Sequence, residues 1–316
     1  DKNGQPFQPC QLVSVPFFHV SGTHGGVLLA LWSGTKLVIM KKWDPPEAVR
    51  LMESEKVSRF GGVPTMAAEI IEEAKKVGAK LDSIRLIDTG GANRPADQAK
   101  EMADFIPHVL TGTSYGMTET NALGIAIRGK EYLENPKVTG RLIAPLAEMR
   151  IVDEFDVDVA VGEVGELVLK SAANMRCYLN KDIETSEVLK NGWLYTGDLA
   201  KIDENQLITL VDRKKNIIIR GGENISAQEV QTAILEHPDV VEAAVFSVPN
   251  ERLGEIVGAC VYCRKTSHEN ESSLQDFLKS SLAAYKIPEH IWIKNKPLPR
   301  VASEKIDVEA LKKEYS

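Results

Sequence analysis

Cysteine is scarce in this 316-residue chain, long apolar runs are absent, and positive charge is not in excess. Four cysteines are too few for a disulfide framework, which favours a reducing compartment and makes the cytoplasm the default expectation. The longest apolar stretch, Val27 to Met40, is interrupted by Ser33, Gly34, Thr35 and Lys36. It falls well short of the ~20 residues that a membrane span needs, so no transmembrane helix is expected. With 38 Lys+Arg against 45 Asp+Glu the net charge is −7, and no global positive field recruits nucleic acid or an anionic membrane. Any anion must therefore be bound locally. His237, His268 and His290 lack ligand spacing, so no transition-metal site is expected. Cys260 and Cys263 form a lone CxxC, but on a strand an odd separation sends the two sulfurs to opposite faces, and both are read as core.

The length suffices for about two domains, and 43% hydrophobic residues can supply a core for each. The chain begins Asp1-Lys2-Asn3-Gly4, without methionine, and enters an apolar strand at Leu12 to Val15 almost at once, so upstream sequence is expected to be missing. Nothing N-terminal reads as a signal peptide, and Lys313-Glu314-Tyr315-Ser316 matches no retention or peroxisomal signal.

Strand-like Leu12 to Val15 and Lys36 to Met40 flank a Gly-rich helical segment. Helices are expected at Pro45 to Val57, Pro64 to Val77 and Pro95 to Phe105, with a short strand at Ile84 to Ile87. Such alternation implies α/β architecture, a parallel sheet covered by helices. From Thr139 the pattern changes to period-two segments, Glu148 to Val152, Gly165 to Lys170 and Gln206 to Val211, as in a small barrel or antiparallel sheet. After Arg213 a small α+β domain is expected, with strands at Asn216 to Arg220, Ala243 to Val248 and Val257 to Tyr262 and helices at Ala227 to Glu236 and Ser273 to Leu282. A hinge is expected at the charged segment Asp212 to Lys215.

Two constellations carry chemistry. Trp193-Leu194-Tyr195-Thr196-Gly197-Asp198 places an aspartate in an expected tight turn, followed by Asp212-Arg213-Lys214-Lys215-Asn216 and Gly221-Gly222-Glu223-Asn224-Ile225. An aspartate can accept two hydrogen bonds from a ribose diol while nearby cations face phosphate. Either half alone reads more readily as a hairpin with a charged turn; together they are harder to read that way. The second constellation, Thr111-Gly112-Thr113-Ser114 and Tyr115-Gly116-Met117-Thr118-Glu119-Thr120, joins hydroxyls, an aromatic face and a hard carboxylate in one loop. Thr118 alone also reads as a helix N-cap. Ser21-Gly22-Thr23-His24-Gly25-Gly26 imitates a phosphate cradle, but no Gly-Lys-Ser/Thr closes it, and a helix packed through small residues is the better reading.

Taken in order, the Tyr115 loop, the Tyr195 to Asp198 segment, Asp212 to Ile225 and Pro299 to Ile306 resemble the adenylate-forming acyl-CoA synthetase (AMP-binding enzyme) family over essentially the whole chain. The resemblance implies residues 1–212 as the later part of a large AMP-binding domain and residues 213–316 as a small C-terminal lid domain. It implies ATP/AMP, Mg2+ and coenzyme A as substrates and activating ion, with a small carboxylic acid as the other partner. A homodimer is left open. Tyr115 would stack on adenine beside Gly90, Gly91, Ala92 and Gly116, Thr118 would touch the α-phosphate, and Glu119 would hold the magnesium. Asp198 would bind the ribose, Arg213 would support it or the phosphate, and Lys215 would be the hinge. Gly221 and Gly222 would line the coenzyme A passage.

Lys305 matches the catalytic lysine of that family, although Glu304 stands where the family usually has glycine. Phe18, His19, Val20 and Gly22 resemble the acyl-pocket segment. His19 sits where amino-acid-activating relatives place aspartate, which favours an acid without an α-amino group. Val63-Pro64-Thr65 would complete the walls. The family also carries a Ser/Thr/Gly-rich loop ending in lysine upstream of the Phe17 segment, and no such loop occurs here. The chain is therefore expected to be a fragment that does not adenylate acids alone. The leading functional expectation is an acid-CoA ligase for a fatty or aromatic acid. A relative with a different acceptor and a non-catalytic nucleotide-binding module are the alternatives.

Overall fold

The computed structural model describes residues 8–90, 96–263, 270–302 and 305–315. Two compact units divide the chain: residues 1–150, 168–195 and 202–209 form one, and residues 151–167, 196–201 and 210–316 the other.

In the first unit seven strands make one sheet: β1 (Cys10–Val13), β2 (Lys36–Ile39), β3 (Arg59–Gly62), β4 (Leu86–Gly90), β5 (Leu110–Tyr115), β6 (Ile125–Arg128) and β7 (Arg141–Leu142). Their order is β2-β1-β3-β4-β5-β6-β7. The first five pair in parallel. β6 and β7 add an antiparallel edge, a common ending for a sheet that is otherwise parallel. The intervening helices have local reasons to form. Asp44 caps Pro45–Ser54 by accepting from the Glu47 amide, and proline opens that helix where no amide partner is needed. Pro64–Val77 likewise starts on proline and stops at Gly78, whose φ of 71° is the left-handed cap that glycine adopts without strain. Its Met66, Ala67, Ile70, Ile71 and Ala74 form one apolar stripe against Leu12, Phe60 and Ile87 of the sheet. Emptying such a site by Ile70→Ala costs about 2–5 kcal/mol.

The Gly-rich segment after Phe18 is helical as expected, with one irregularity. Val20–Gly22 is α, Thr23–Leu28 is π-helical, and Leu29–Ser33 is α again. Small residues let it close on β1, since a Cβ at Gly26 would stand 3.4 Å from the Val13 side chain.

A second sheet contributes residues to both units. It contains β8 (Ala147–Val152), β9 (Gly165–Ser171), β10 (Leu189–Lys190), β11 (Trp193–Ile202) and β12 (Ile208–Arg213), in the order β10-β11-β9-β8 with β12 beside β11. The third sheet belongs to the second unit: β13 (Ile217–Arg220), β14 (Glu223–Ser226), β15 (Val240–Asn250), β16 (Gly254–Cys263) and β17 (His290–Lys294), in the order β14-β13-β16-β15 with β17 beside β16. Helices Ala227–Leu235 and Glu271–Leu278 cover one face. Cys263 packs in that core, whereas Cys260 packs with Ala244, Phe246, Leu298 and Leu311 on the other side, as the odd spacing requires.

Three local expectations need correction. Thr111 to Ser114 is strand and not loop, because pairing of Leu110 through Ser114 with Leu86 through Gly90 overrides the weak strand propensity of Gly112 and the lack of apolar alternation. β3 escaped the sequence reading for the same reason, since Gly61 and Gly62 give it no apolar alternation. Tyr195 to Asp198 is no tight turn. It lies inside the ten-residue β11, where Gly197 alone takes a positive φ of 71°.

Candidate functional site

In the first unit β5 ends at Tyr115 and the chain passes through a 3-10 turn at Thr118–Thr120. Crowding dictates Gly116, because a Cβ there would stand 2.5 Å from the carbonyl carbon and oxygen of Ala122. The Thr120 hydroxyl accepts from the Met117 amide at 3.1 Å and donates to the Met117 carbonyl at 3.2 Å, closing the turn on itself. Thr118 is left exposed, while Tyr115 and Glu119 are half-buried. Gly90, at the end of β4, pairs with Ser114, and a Cβ there would meet the Ser114 carbonyl oxygen at 2.9 Å. Gly91, Ala92 and Glu304 lie outside the described residues.

Glu119 is held twice. Its carbonyl accepts from the Met175 amide at 2.7 Å, and its Oε1 accepts from the Tyr178 hydroxyl at 2.8 Å. Burial first, then the bond to Glu119 and its charge, push the Tyr178 phenol up to about 12. Tyr178 therefore stays a donor across the neutral range. Sequence reasoning missed this residue, because 59 positions separate the partners and no local signal links them. The donor set suits a magnesium ion carried by phosphates, which needs one or two hard carboxylate oxygens. It does not suit a protein-built metal cage. Among the described residues no group of three His, Cys, Asp or Glu side chains could hold a metal.

After β1, Phe18 lies in a turn, His19 precedes a helix, and Val20 and Gly22 lie in its first residues. His19 Nδ1 accepts from the Ser21 amide at 3.2 Å and so caps the helix that begins at Val20. Val20 and Gly22 are buried and Phe18 is 78% exposed.

In the second unit β11 carries the acidic residue. The Thr196 hydroxyl donates to the Leu167 carbonyl at 2.7 Å and accepts from the Asp198 amide at 3.1 Å. Glu166 Oε1 accepts from the Gly197 amide at 3.1 Å, and its Oε2 lies 2.7 Å from Lys214 Nζ. These bonds fix the strand around Asp198, which is only 5% exposed. Arg213 Nε stands 3.1 Å from Asp198 Oδ1. Lys305 joins them. Burial and then repulsion from the Arg213 guanidinium lower its pKa, while attraction to Asp198 opposes the shift. Arg213 and Lys305 thus both lie within electrostatic reach of the buried Asp198 carboxylate.

The Asp212 carboxylate is also buried. It accepts from the Ser226 hydroxyl at 2.7 Å and the Gln228 amide at 2.9 Å, tying the residue before Arg213 to the start of helix Ala227–Leu235. Lys215 is exposed in the 3-10 turn that follows. Gly221 and Gly222, at φ 58° and 92°, are the two-residue connection between antiparallel β13 and β14. Positive φ at both positions is what such a tight hairpin demands. Glycine is therefore required there by backbone conformation.

A family model described as "AMP-binding enzyme" matches residues 2–179, and one described as "AMP-binding enzyme C-terminal domain" matches residues 229–305. The chain is 32% identical over 295 residues to a feruloyl-CoA synthase of Amycolatopsis sp, covering 93% of this chain and 59% of that protein. It is 33% identical to a long-chain-fatty-acid–CoA ligase of Bacillus subtilis, covering 92% of this chain and 52% of the relative. The chain thus spans a little over half the length of these curated relatives. Among solved structures, an O-succinylbenzoate coenzyme A synthetase of Bacillus subtilis in complex with ATP and magnesium ion aligns with a TM-score of 0.83 at 28% identity, covering 98% of this chain and 63% of that one. An amide bond synthetase of Marinactinospora thermotolerans aligns with a TM-score of 0.86 at 25% identity, covering 98% and 61%.

Proposed function

The chain belongs to the AMP-binding enzyme family of adenylate-forming acyl-CoA synthetases, and from that premise we propose that the whole protein joins a fatty or aromatic carboxylic acid to coenzyme A. A carboxylate oxygen attacks the α-phosphorus of ATP, a new P–O bond forms, and the bond to pyrophosphate breaks. The coenzyme A sulfur, deprotonated as it attacks, then bonds the acyl carbon while the C–O bond to AMP breaks.

The observation that carries this reading is the meeting of Lys305 and Arg213 at buried Asp198. Asp198 would accept from the ribose diol, and Arg213 would support the ribose or phosphate. Lys305 would neutralise charge developing between carboxylate and α-phosphate. In the first unit Tyr115 would stack on adenine beside Gly90, Gly91, Ala92 and Gly116, and Thr118 would donate to the α-phosphate. Glu119, oriented by Tyr178, would hold magnesium, which when bound neutralises phosphate charge. Phe18, His19, Val20 and Gly22 would border the acyl pocket. Residues 213–316 would form a lid that turns about Lys215, exchanging Lys305 for the Gly221-Gly222 hairpin between half-reactions.

ATP–pyrophosphate exchange across a panel of acids tests the reading. Lys305→Ala in the whole protein is expected to slow exchange about 10²–10³-fold, with coenzyme A discharge of supplied acyl-adenylate changed only about 2-fold. Equal losses in both half-reactions would refute the role given to Lys305. The 316 residues alone are expected to show no exchange, since no Ser/Thr/Gly-rich loop ending in lysine is present to grip the triphosphate. Likeness to an amide bond synthetase supports a second reading, in which an amine takes the acyl group. Amide formation without thioester formation would favour it.

A further inference from the structure

A further buried carboxylate supports the segment that carries Lys305, and no role given so far uses it. Glu242 on β15 is 6% exposed. Its Oε2 accepts from the Leu298 amide at 2.7 Å, and its Oε1 accepts from the Arg300 guanidinium. Leu298 and Arg300 lie at the base of a hairpin. The Asp307 amide donates to the Pro299 carbonyl at 2.8 Å, and the Val301 amide donates to the Lys305 carbonyl at 2.9 Å. Arg300 and Ile306 form the antiparallel bridge between those two bonds. Lys305 therefore sits on the returning arm of a hairpin whose outgoing arm is fixed to Glu242.

The strand is bent to make this possible. Val240, Ala243 and Val245 pack into the core under the two helices, whereas Ala244 and Phe246 face Leu298 and Leu311. In an uninterrupted strand Glu242 would share the Val240 face. The register against β16 shifts between Val240, opposite Cys263, and Glu242, opposite Tyr262. That one-residue bulge turns Glu242 toward Leu298, the re-aiming for which bulges are retained. Burying a carboxylate is unfavourable unless its oxygens are occupied, and the hairpin occupies both.

We propose that Glu242 is a positioning residue that anchors the Lys305 hairpin for adenylation, a role that rests on the function proposed above for Lys305. Glu242→Gln keeps an acceptor for the Leu298 amide but removes the charge opposite Arg300. In the whole protein it is expected to slow ATP–pyrophosphate exchange about 100-fold through misplacement of Lys305, with discharge of supplied acyl-adenylate by coenzyme A within about 3-fold of the unmodified protein. Combined with Lys305→Ala it should add no further loss of exchange, because both changes remove one contribution. A second arm needs no activity: native-state trypsin cleavage after Lys305, followed by mass spectrometry, should quicken about 10-fold in Glu242→Gln and in Arg300→Ala. Equal losses in both half-reactions, additive losses with Lys305→Ala, or unchanged cleavage would overturn the proposal. If the unmodified protein shows no exchange with any acid, the functional reading fails and Glu242's part in catalysis with it. The cleavage arm would still decide separately whether Glu242 anchors the hairpin.

Discussion

The Tyr115 to Thr120 loop and the Arg213 to Ile306 region of the second unit hold their functional groups by different means. In the loop, steric crowding and closure of the turn shape the backbone, with Gly116 pressed on Ala122 and Thr120 closed onto Met117, and uncharged donors at Met175 and Tyr178 hold Glu119. In the second unit, buried carboxylates prevail, with Asp198 against Arg213, Asp212 against Ser226 and Glu242 against Arg300. Even the glycines divide this way. Gly116 is needed because a neighbour is too close, and Gly222 because of its φ of 92°, with open space around its missing Cβ. The loop should therefore respond to added volume, and the second unit to lost charge or to changed backbone freedom.

Gly116→Ala should have the largest effect on stability. Its Cβ would meet backbone atoms that cannot rotate aside, and a loss of about 3 kcal/mol or more is expected from urea melts of this chain. A loss below about 1 kcal/mol would mean that crowding does not set this loop.

Tyr178→Phe should come next, at about 1–2 kcal/mol, because it strands a partly buried carboxylate oxygen of Glu119. Its pH dependence sharpens the comparison. The folded phenol has its pKa raised from 10.0 to about 12, so its contribution is full below pH 10 and is lost as pH rises through about 12. The unmodified chain should lose that increment over this window and Tyr178→Phe should not. Parallel alkaline profiles would remove the tyrosine from the account of the loop.

The smallest effect is expected at Gly221→Ala. A left-handed residue with a side chain costs about 1 kcal/mol, and the nearest atom to the new Cβ is the far end of Leu253 at 3.1 Å, which can yield. A thermal shift as large as that of Gly116→Ala would show that crowding governs both regions.

Much of the architecture was legible beforehand, and the residues show why. Pro64 and Gly78 bracket a helix whose apolar stripe is periodic, so Pro64–Val77 can be read without its neighbours. The separation of Cys260 from Cys263 foretold two faces, and each sulfur lies in its own cluster. Thr111 to Ser114 was not legible, because a central strand of hydroxyls and glycine is made by its parallel neighbour. The turn expected around Asp198 rests on Gly197, a local turn signal that strand pairing and the bonds to Leu167 and Glu166 override.

Order and type of motif are properties of the chain itself, and they identified the family and the alternation of strand and helix, and they marked Tyr115, Glu119, Asp198 and Lys305 as the candidates on which the proposed function rests. Partnership is not such a property. That Tyr178 holds Glu119, that Arg213 and Lys305 share Asp198, and that a bulge turns Glu242 onto the hairpin of Lys305 were decided only when segments tens of residues apart were folded together. Local sequence fixes backbone preference over a few residues, whereas a buried charge is tolerated only where the completed fold brings its partner within hydrogen-bonding distance.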